Sequence, residues 1–349
     1  MIFNNLVKKI EKQKLIGRGC NNFPVAAKWQ TVKKSAKEKF VICNVSESEP
    51  GVFKDKYILE RWPEQVITGM GLAMKNIGAT KGFIYLNPEY YQQFNDYLVP
   101  EIEVQKLNIE IYQKPLHDYI GGEETALLNA LEGRRIEPRL KPPFPTTNGF
   151  ENQPTLVNNC ETFYAVYLIS KNQYQHTRFY CLSGANFKAE VKELPLKITV
   201  KKMLENFGHK PNPKYFYQVG GGAAGFCYNY RQLNRPFDGI ASVIIHQIDT
   251  PEKDLIIHWA NFFAHESCGQ CVPCREGTYR LKIILENYYT KGIMDQKIFD
   301  DLIFSLQNTS FCPLGKISAN AILSYWRNVK KPITKARDTI SKQNLNSKL

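Results

Sequence analysis

The chain has 349 residues, 43% hydrophobic and 23% charged, which suits a folded protein of two or three modules and excludes a mainly disordered or collagen-like one. Its formal net charge is +13, but residues 1–39 carry ten basic and two acidic residues and residues 330–349 carry six and one, so the ends account for the whole excess. A neutral body with charged ends does not make the basic, aromatic-lined groove of a nucleic-acid binder.

Taken in chain order, the first residues, MIFNNLVKKIEKQK, lack the apolar core of a signal peptide, and a cytoplasmic protein is expected. No apolar stretch approaches the ~20 residues of a membrane-spanning helix. From Gly17, GRGCNNFPVAAKW sets two glycines, Arg18 and Lys28 around a turn before a helix, a pattern that can cradle phosphate. Phe40 to Cys43 reads as a buried strand running into a polar loop with Asn44, Glu47 and Glu49. GFIYL and IEIYQ read as further strands, and HDYIGGEETALLNALEGRR places a glycine pair before a helix starting near Glu123. LKPPFP and PTLVNNCETF follow, with Lys141, Phe144, Asn158, Asn159 and Thr162. This alternation predicts an α/β domain over residues 1–175.

Residues 176–250 change character. TRFYCLSGANFKAEVKELPL predicts a hairpin, TVKKMLENFG a short helix, and KYFYQVGG and SVIIHQID strands. The glycine run QVGGGAAGF is read as a structural turn. Residues 251–329 are helical by pattern: EKDLIIHWANFFAH, TYRLKIILENYY, IFDDLIFSLQ and ISANAILSYWRN. Residues 330–349 read as a basic, mobile tail.

Nine cysteines in a chain without a secretion signal argue against a disulfide framework. Cys268, Cys271 and Cys274 follow C-x2-C-x2-C, and Cys312 comes later in SFCPLGK. Three thiolates wrapped by one loop can each take a different iron of a cubane, with the fourth corner from elsewhere in the chain. Structural zinc usually draws two ligands from each of two loops, so three plus one favours a [4Fe-4S] cluster over zinc. Gly269 is expected to allow a tight bend and Pro273 to hold the loop open between ligands. His265 is read as packing or as a neighbour of the ligands, not as a ligand.

Taken together the motifs resemble the NADH-oxidising, flavin-carrying subunit family of respiratory complex I and of NAD-linked hydrogenases and formate dehydrogenases. GRG…FP…KW, N-x-x-ESEPG-x-FKD, Y-x-x-GEETALL, EGRR…PRLKPPFP, NQPT-x-VNN-x-ET and HESCG-x-C-x-PCREG occur in order from Gly17 to about Arg327. The resemblance implies a Rossmann-like FMN- and NADH-binding domain, a small β-grasp domain and a helical bundle holding the cluster. It implies hydride transfer from NADH to FMN, then electrons released singly to the cluster, the flavin bridging a two-electron donor and a one-electron acceptor.

By motif, Gly17, Arg18, Gly19, Lys28, Asn44, Tyr119, Gly122, Asn158, Asn159 and Thr162 are implied at the flavin. Phe23 and Phe144 are implied at the adenine, Lys141 at the pyrophosphate and Glu124 at the adenosine ribose. Glu47 and Glu49 are implied as the catalytic residues, acids that beside an anionic dinucleotide serve by accepting from ribose hydroxyls or by shaping the flavin's potential. The implied partners are a thioredoxin-like [2Fe-2S] subunit and a larger iron–sulfur subunit. The chain departs from the family pattern at Cys20, Asn21, Asn22 and Val25, at Ser46 where Asp is usual, and at Gln30 and Thr31 where an aromatic is expected. These departures cluster at the flavin loop, so a cluster-carrying relay without flavin is the alternative.

Overall fold

The structure, a computed structural model, describes residues 3–330 except Cys20, Asn21, His117, Ala185, Asn186 and Asp238. The tail at 331–349 and two of the flavin-loop departures therefore lie outside the described residues. The first part runs α1 (Phe3–Lys12), α2 (Val25–Lys33), β1 (Phe40–Val45), α3 (Lys54–Arg61), α4 (Pro63–Ile77), β2 (Lys81–Leu86), α5 (Pro88–Val104), β3 (Ile109–Gln113), α6 (Glu124–Leu131), β4 (Thr155–Asn159) and α7 (Cys160–Ser170). Its sheet is wholly parallel, in the order β3-β2-β1-β4. β1 is central and reads FVICNV because both of its faces are covered. One face packs on a large core with Trp29, Ile67, Met70, Phe163 and Val166, the other on a thinner layer with Phe83, Leu127, Leu128 and Phe150.

The second part, β5 (Thr177–Gly184), β6 (Glu190–Pro195), α8 (Val200–Asn206), β7 (Tyr215–Val219), β8 (Phe226–Asn229) and β9 (Ser242–Gln247), forms a mixed sheet in the order β6-β5-β9-β7-β8. An antiparallel β5–β6 hairpin with β9 parallel to β5 and α8 between is a β-grasp arrangement. The third part is α9 (Glu252–Glu266), α10 (Val272–Lys291), α11 (Gln296–Thr309), α12 (Pro313–Ile317) and α13 (Asn320–Asn328). Trp259, Leu281, Leu285, Phe299, Leu306 and Ile322 form its core. No helix among the described residues is long and apolar enough to cross a membrane.

One expectation changes here, and one element appears that the sequence pattern does not show. Pro273 does not hold the cysteine loop open: it stands in the first turn of α10, where a missing N–H costs nothing and its fixed φ suits the helix. Cys274 is therefore a helical residue. The residues after Cys312 form α12, a helix too short for periodicity to reveal.

Candidate functional site

In an open parallel sheet, ligands bind outside the carboxyl ends of the strands where the strand order reverses. Here that point lies between β1 and β4, and a cleft of about 290 Å³ opens there. Its walls come from the Gly17–Phe23 loop, Lys28 on α2, Asn44 and the loop after β1, the Tyr119–Glu124 turn, Lys141, and Val157 to Thr162 at the end of β4. Ile240 from the β-grasp part and Pro313, Leu314 and Ile317 of α12 complete it. Every residue expected at the flavin or nucleotide borders this cleft except Phe144, which stands outside the lining, exposed on the proline-rich turn.

Local bonds show what each side chain has left to offer. The Arg18 backbone N–H donates to Thr162 Oγ1 at 3.0 Å, fixing the glycine loop to α7. The Arg18 guanidinium turns inward, donating from Nη2 to Tyr174 Oη (2.6 Å) and to the Thr177 carbonyl (3.2 Å). Its Nη1 is buried without a hydrogen-bond partner. Asn44 Nδ2 donates to the Gly122 carbonyl at 2.9 Å. Asn159 is saturated: its oxygen accepts from Lys54 Nζ (2.8 Å) and the Glu161 N–H (3.1 Å), and its nitrogen donates to Asp55 Oδ2 (2.7 Å) and the Asn44 carbonyl (3.3 Å). Its amide thus clamps β1 to β4. In the orientation that satisfies both groups, the Asn158 amide accepts from Trp29 Nε1 and donates to the Val157 carbonyl, each at 3.1 Å.

The acidic residues differ in environment. Glu47 accepts from the backbone N–H groups of Asp55 (2.8 Å) and Lys56 (3.1 Å) and from Tyr90 Oη (2.9 Å), so its carboxyl caps α3. Burial, then the neighbouring Asp55, raise it to about 8 against the pull of Lys54 and those N–H donors. Glu49 accepts from Tyr119 Oη (2.7 Å) and from the N–H groups of Ala223 (2.8 Å) and Ala224 (3.1 Å), and burial raises it too. The glycine run after β7 is thus the turn that grips Glu49. Gly221 takes φ +100°, and any side chain there would strike the Glu49 carboxyl. At the other end of the cleft Lys28 Nζ pairs with Glu124 (3.0 Å), and Lys141 Nζ with Glu123 (2.7 Å) and Glu124 (3.1 Å). Burial alone would raise the Glu124 carboxyl, but the two ammonium groups outweigh it and hold it below its usual range.

Motif reasoning does not assign Ser46, Ser48, Lys54, Asp55, Glu123 or the α12 wall to the site. Four of these lie within the motifs themselves, since ESEPG and FKD contain Ser48, Lys54 and Asp55, and GEETALL contains Glu123. The α12 contacts depend on tertiary packing that no motif spells out.

Two features suit a bound cofactor. A Cβ on Gly19 would meet nothing within 4 Å, so the loop presents open backbone to the cleft, and the Arg18 guanidinium, paired with Glu161 at 3.8 Å, keeps Nη1 without a hydrogen-bond partner. Asn22 takes φ +43°, a left-handed conformation that Asn tolerates better than most residues.

The four cysteines gather beside the cleft: Cys271, Cys274 and Cys312 share one buried cluster with Ile120, Phe263 and Leu314, and Cys268 packs against it. Gly269, at φ +76°, bends the loop between the first two, and Arg275 and Arg135 donate to the carbonyls of Gly269 (2.9 Å) and Cys268 (2.5 Å). All four are free thiols. Burial, then the neighbouring thiols, push Cys274 up to about 12 despite the Ser267 hydroxyl, and burial raises Cys268 and Cys312 as well. Among the described residues Arg135 is the cation that acts on them, at Cys268, so four largely buried thiols with so little countercharge are the donor set of a metal group that brings its own cations. Among the described residues no three His, Cys, Asp or Glu side chains could hold a single metal ion. A cubane asks for less convergence, because each thiolate takes a different iron.

Residues 10–168 match the Nuo51 FMN-binding domain, and residues 254–336 match the NADH-ubiquinone oxidoreductase-F iron-sulfur binding region. The F subunit of NADH-quinone oxidoreductase from Aquifex aeolicus is 34% identical, over 91% of this chain and 82% of its own length. One of the F subunits of the same enzyme from Rhizobium meliloti is 32% identical over 93% and 87%. The alpha subunit of the NAD-reducing hydrogenase HoxS of Cupriavidus necator is 32% identical over 91% of this chain and 58% of its own. A solved NAD+-reducing [NiFe]-hydrogenase superposes with a TM-score of 0.87 at 30% identity, covering 94% of this chain and 62% of that one. The chain thus spans less than two thirds of these hydrogenase subunits.

Proposed function

The chain belongs to the family of the NADH-quinone oxidoreductase F subunits, and from that premise we propose that the cleft binds FMN and NADH and that Cys268, Cys271, Cys274 and Cys312 hold a [4Fe-4S] cluster. It is the NADH electron-input subunit of a complex I-like or hydrogenase-like assembly. The observation that carries the site assignment is the shared wall: the helix that follows Cys312 lines the same cleft as the glycine loop. A group in that cleft sits one packed layer from the thiols.

When bound, FMN takes a hydride and returns its two electrons one at a time. The chain's own residues do the rest. The Gly17–Gly19 backbone and Arg18 hold the anionic end of the cofactor, and Asn44 and the Asn159 clamp fix the strand ends beneath it. Lys28 and Lys141 offer charge to the dinucleotide while Glu124 accepts from the adenosine ribose and repels a 2′-phosphate. Glu49, gripped by the Ala223–Ala224 turn and Tyr119, and Glu47, capping α3, shape the potential at the reacting end.

The division into residues 1–175, 176–250 and 251–329, with a tail at 330–349, follows the two sheets and the bundle. Electrons leave to a thioredoxin-like [2Fe-2S] subunit and a larger iron–sulfur subunit. The test is anaerobic reconstitution of the full chain with FMN, iron and sulfide, followed by NADH oxidation with an artificial acceptor. One FMN and a four-iron cluster per chain with NADH turnover is the expected result. Iron without flavin and without turnover would establish the relay alternative instead.

A further inference from the structure

The cleft wall behind the loop after β1 contains a lysine that the proposed chemistry does not use. Lys114, the residue after β3, is completely buried. Its Nζ donates to Ser46 Oγ (3.1 Å) and Ser48 Oγ (3.1 Å), pairs with Asp118 Oδ1 at 2.7 Å, and donates to the Asp118 carbonyl. Ser46 and Ser48 line the cleft, and Ser48 also borders a neighbouring cavity of about 360 Å³ that Asp118 lines with Glu89, Tyr90 and Glu266. Asp118 does not line the cleft, so the ammonium is the end of the pair held against the cleft wall.

The two ends are also screened differently. The Asp118 side chain is 19% exposed and that of Lys114 is not exposed at all, so water weakens the negative end more than the positive one. Glu266 from α9 is the other charged group that acts on the ammonium, and Glu47 and Glu49 stand on the serine loop itself. Each serine accepts from Lys114 and so turns its own O–H away from the ammonium. Ser48 donates to the Ser46 carbonyl (3.2 Å), and the two hydroxyls lie 3.0 Å apart, so they bond within the loop and hold it against the ammonium. Ser46 is one of the departures from the family pattern, a hydroxyl where a carboxylate is usual.

We propose that Lys114 is a positioning residue whose ammonium, held behind Ser46 and Ser48, makes this wall more electropositive and so favours the reduced over the oxidised state of the flavin held in the cleft. The inference rests on the flavin reading of the cleft. Reduction adds electron density and, at neutral pH, negative charge to the ring system, and a nearby buried cation stabilises that state more than the neutral oxidised one.

The test is an anaerobic redox titration of the FMN-loaded full chain, with oxidised-FMN affinity measured by fluorescence quenching. In Lys114→Met the preference for reduced over oxidised FMN should fall about tenfold, a midpoint lower by about 30 mV for a two-electron couple. Asp118→Asn leaves the ammonium uncompensated and should move the midpoint the other way. A role confined to holding the loop together would not give opposite signs. An unchanged midpoint in Lys114→Met, or both variants shifting it in one direction, would overturn the proposal. If Lys114→Met does not fold, Asp118→Asn decides alone, and an unchanged or lowered midpoint sinks the idea. Wild-type protein that takes up no FMN refutes the flavin reading itself, and this inference with it; FMN uptake with insensitive midpoints refutes only this inference.

Discussion

In the cleft, most charged side chains already have a partner within the chain: Lys28 and Lys141 with Glu123 and Glu124, Lys54 with Asp55 and Glu161, Glu47 and Glu49 with backbone donors. The cysteine pocket a few residues away is the reverse, with thiols packed on apolar side chains and on one another, Ser267 lying 3.4 Å from Cys274. The difference teaches how each region meets its ligand. A dinucleotide exchanges existing ion pairs for new ones, so single changes in the cleft should tune affinity and selectivity. The thiols would gain most of their countercharge from a bound metal group, with Arg135 acting at Cys268 alone, so single changes there should act all or none.

The largest expected effect follows from that contrast. Cys274→Ala should reduce iron from about four per chain to near zero on reconstitution, and the cluster's contribution to folding, several kcal/mol, should vanish with it. Iron analysis and thermal melts of reconstituted protein read both. Retention of a full cluster would mean that Cys274 is not a ligand and that the two regions respond alike.

Next is the point where the regions meet through Glu49. Gly221→Ala forces a side chain into the Glu49 carboxyl at a backbone conformation that L residues rarely adopt, and should cost about 1–3 kcal/mol. The melting temperature should fall and FMN affinity with it. A normal melt with normal affinity would show that the turn does not position Glu49.

A smaller effect tests the exchange of ion pairs. Glu124→Gln keeps an acceptor for the ribose but frees the charge of Lys28, and leaves Lys141 with Glu123 as its one remaining ion pair, so both attract a 2′-phosphate more strongly. The NADH/NADPH ratio of kcat/KM should fall roughly tenfold, about 1.4 kcal/mol. An unchanged ratio would remove Glu124 from the specificity assignment.

The smallest effect is one of pH. Glu47 holds its proton up to about 8 in the folded chain against an ordinary value of 4.5. Between those limits the folded state binds a proton the unfolded chain has lost, so stability is highest below 4.5 and falls as pH rises through 8. Glu47→Gln removes that slope while keeping an acceptor for the α3 N–H groups. Its stability, read from melting curves, should gain on wild type from about pH 5 to about pH 8.5, by no more than about 1 kcal/mol given the partial exposure of Glu47. A parallel pair of melting curves would show that Glu47 stays ionised.

Local pattern makes the cysteine ligands, the glycine loop, the strand β1 and the helices flanking the cluster legible, because spacing within one segment already implies their chemistry. The motif puts Phe144 at the adenine, but its ring stands outside the cleft lining in this structure. The Asn159 clamp is hidden from any motif because its partners Lys54, Asp55 and Asn44 lie about a hundred residues away along the chain. Pro273 misleads because a proline between ligands looks like a loop residue, yet it fits the first turn of a helix equally well.

The amino-acid order alone determined which chemistry this protein can carry: cysteines at C-x2-C-x2-C and glycine-rich turns that can cradle phosphate. Only the tertiary structure decided that α12 walls the cleft, that the Gly221–Ala224 turn grips Glu49, and that the ammonium of Lys114 faces Ser46 and Ser48. The physical reason is range. Ligand spacing and capping act over a few residues, whereas burial, charge compensation and shared walls depend on segments that meet only when the core closes.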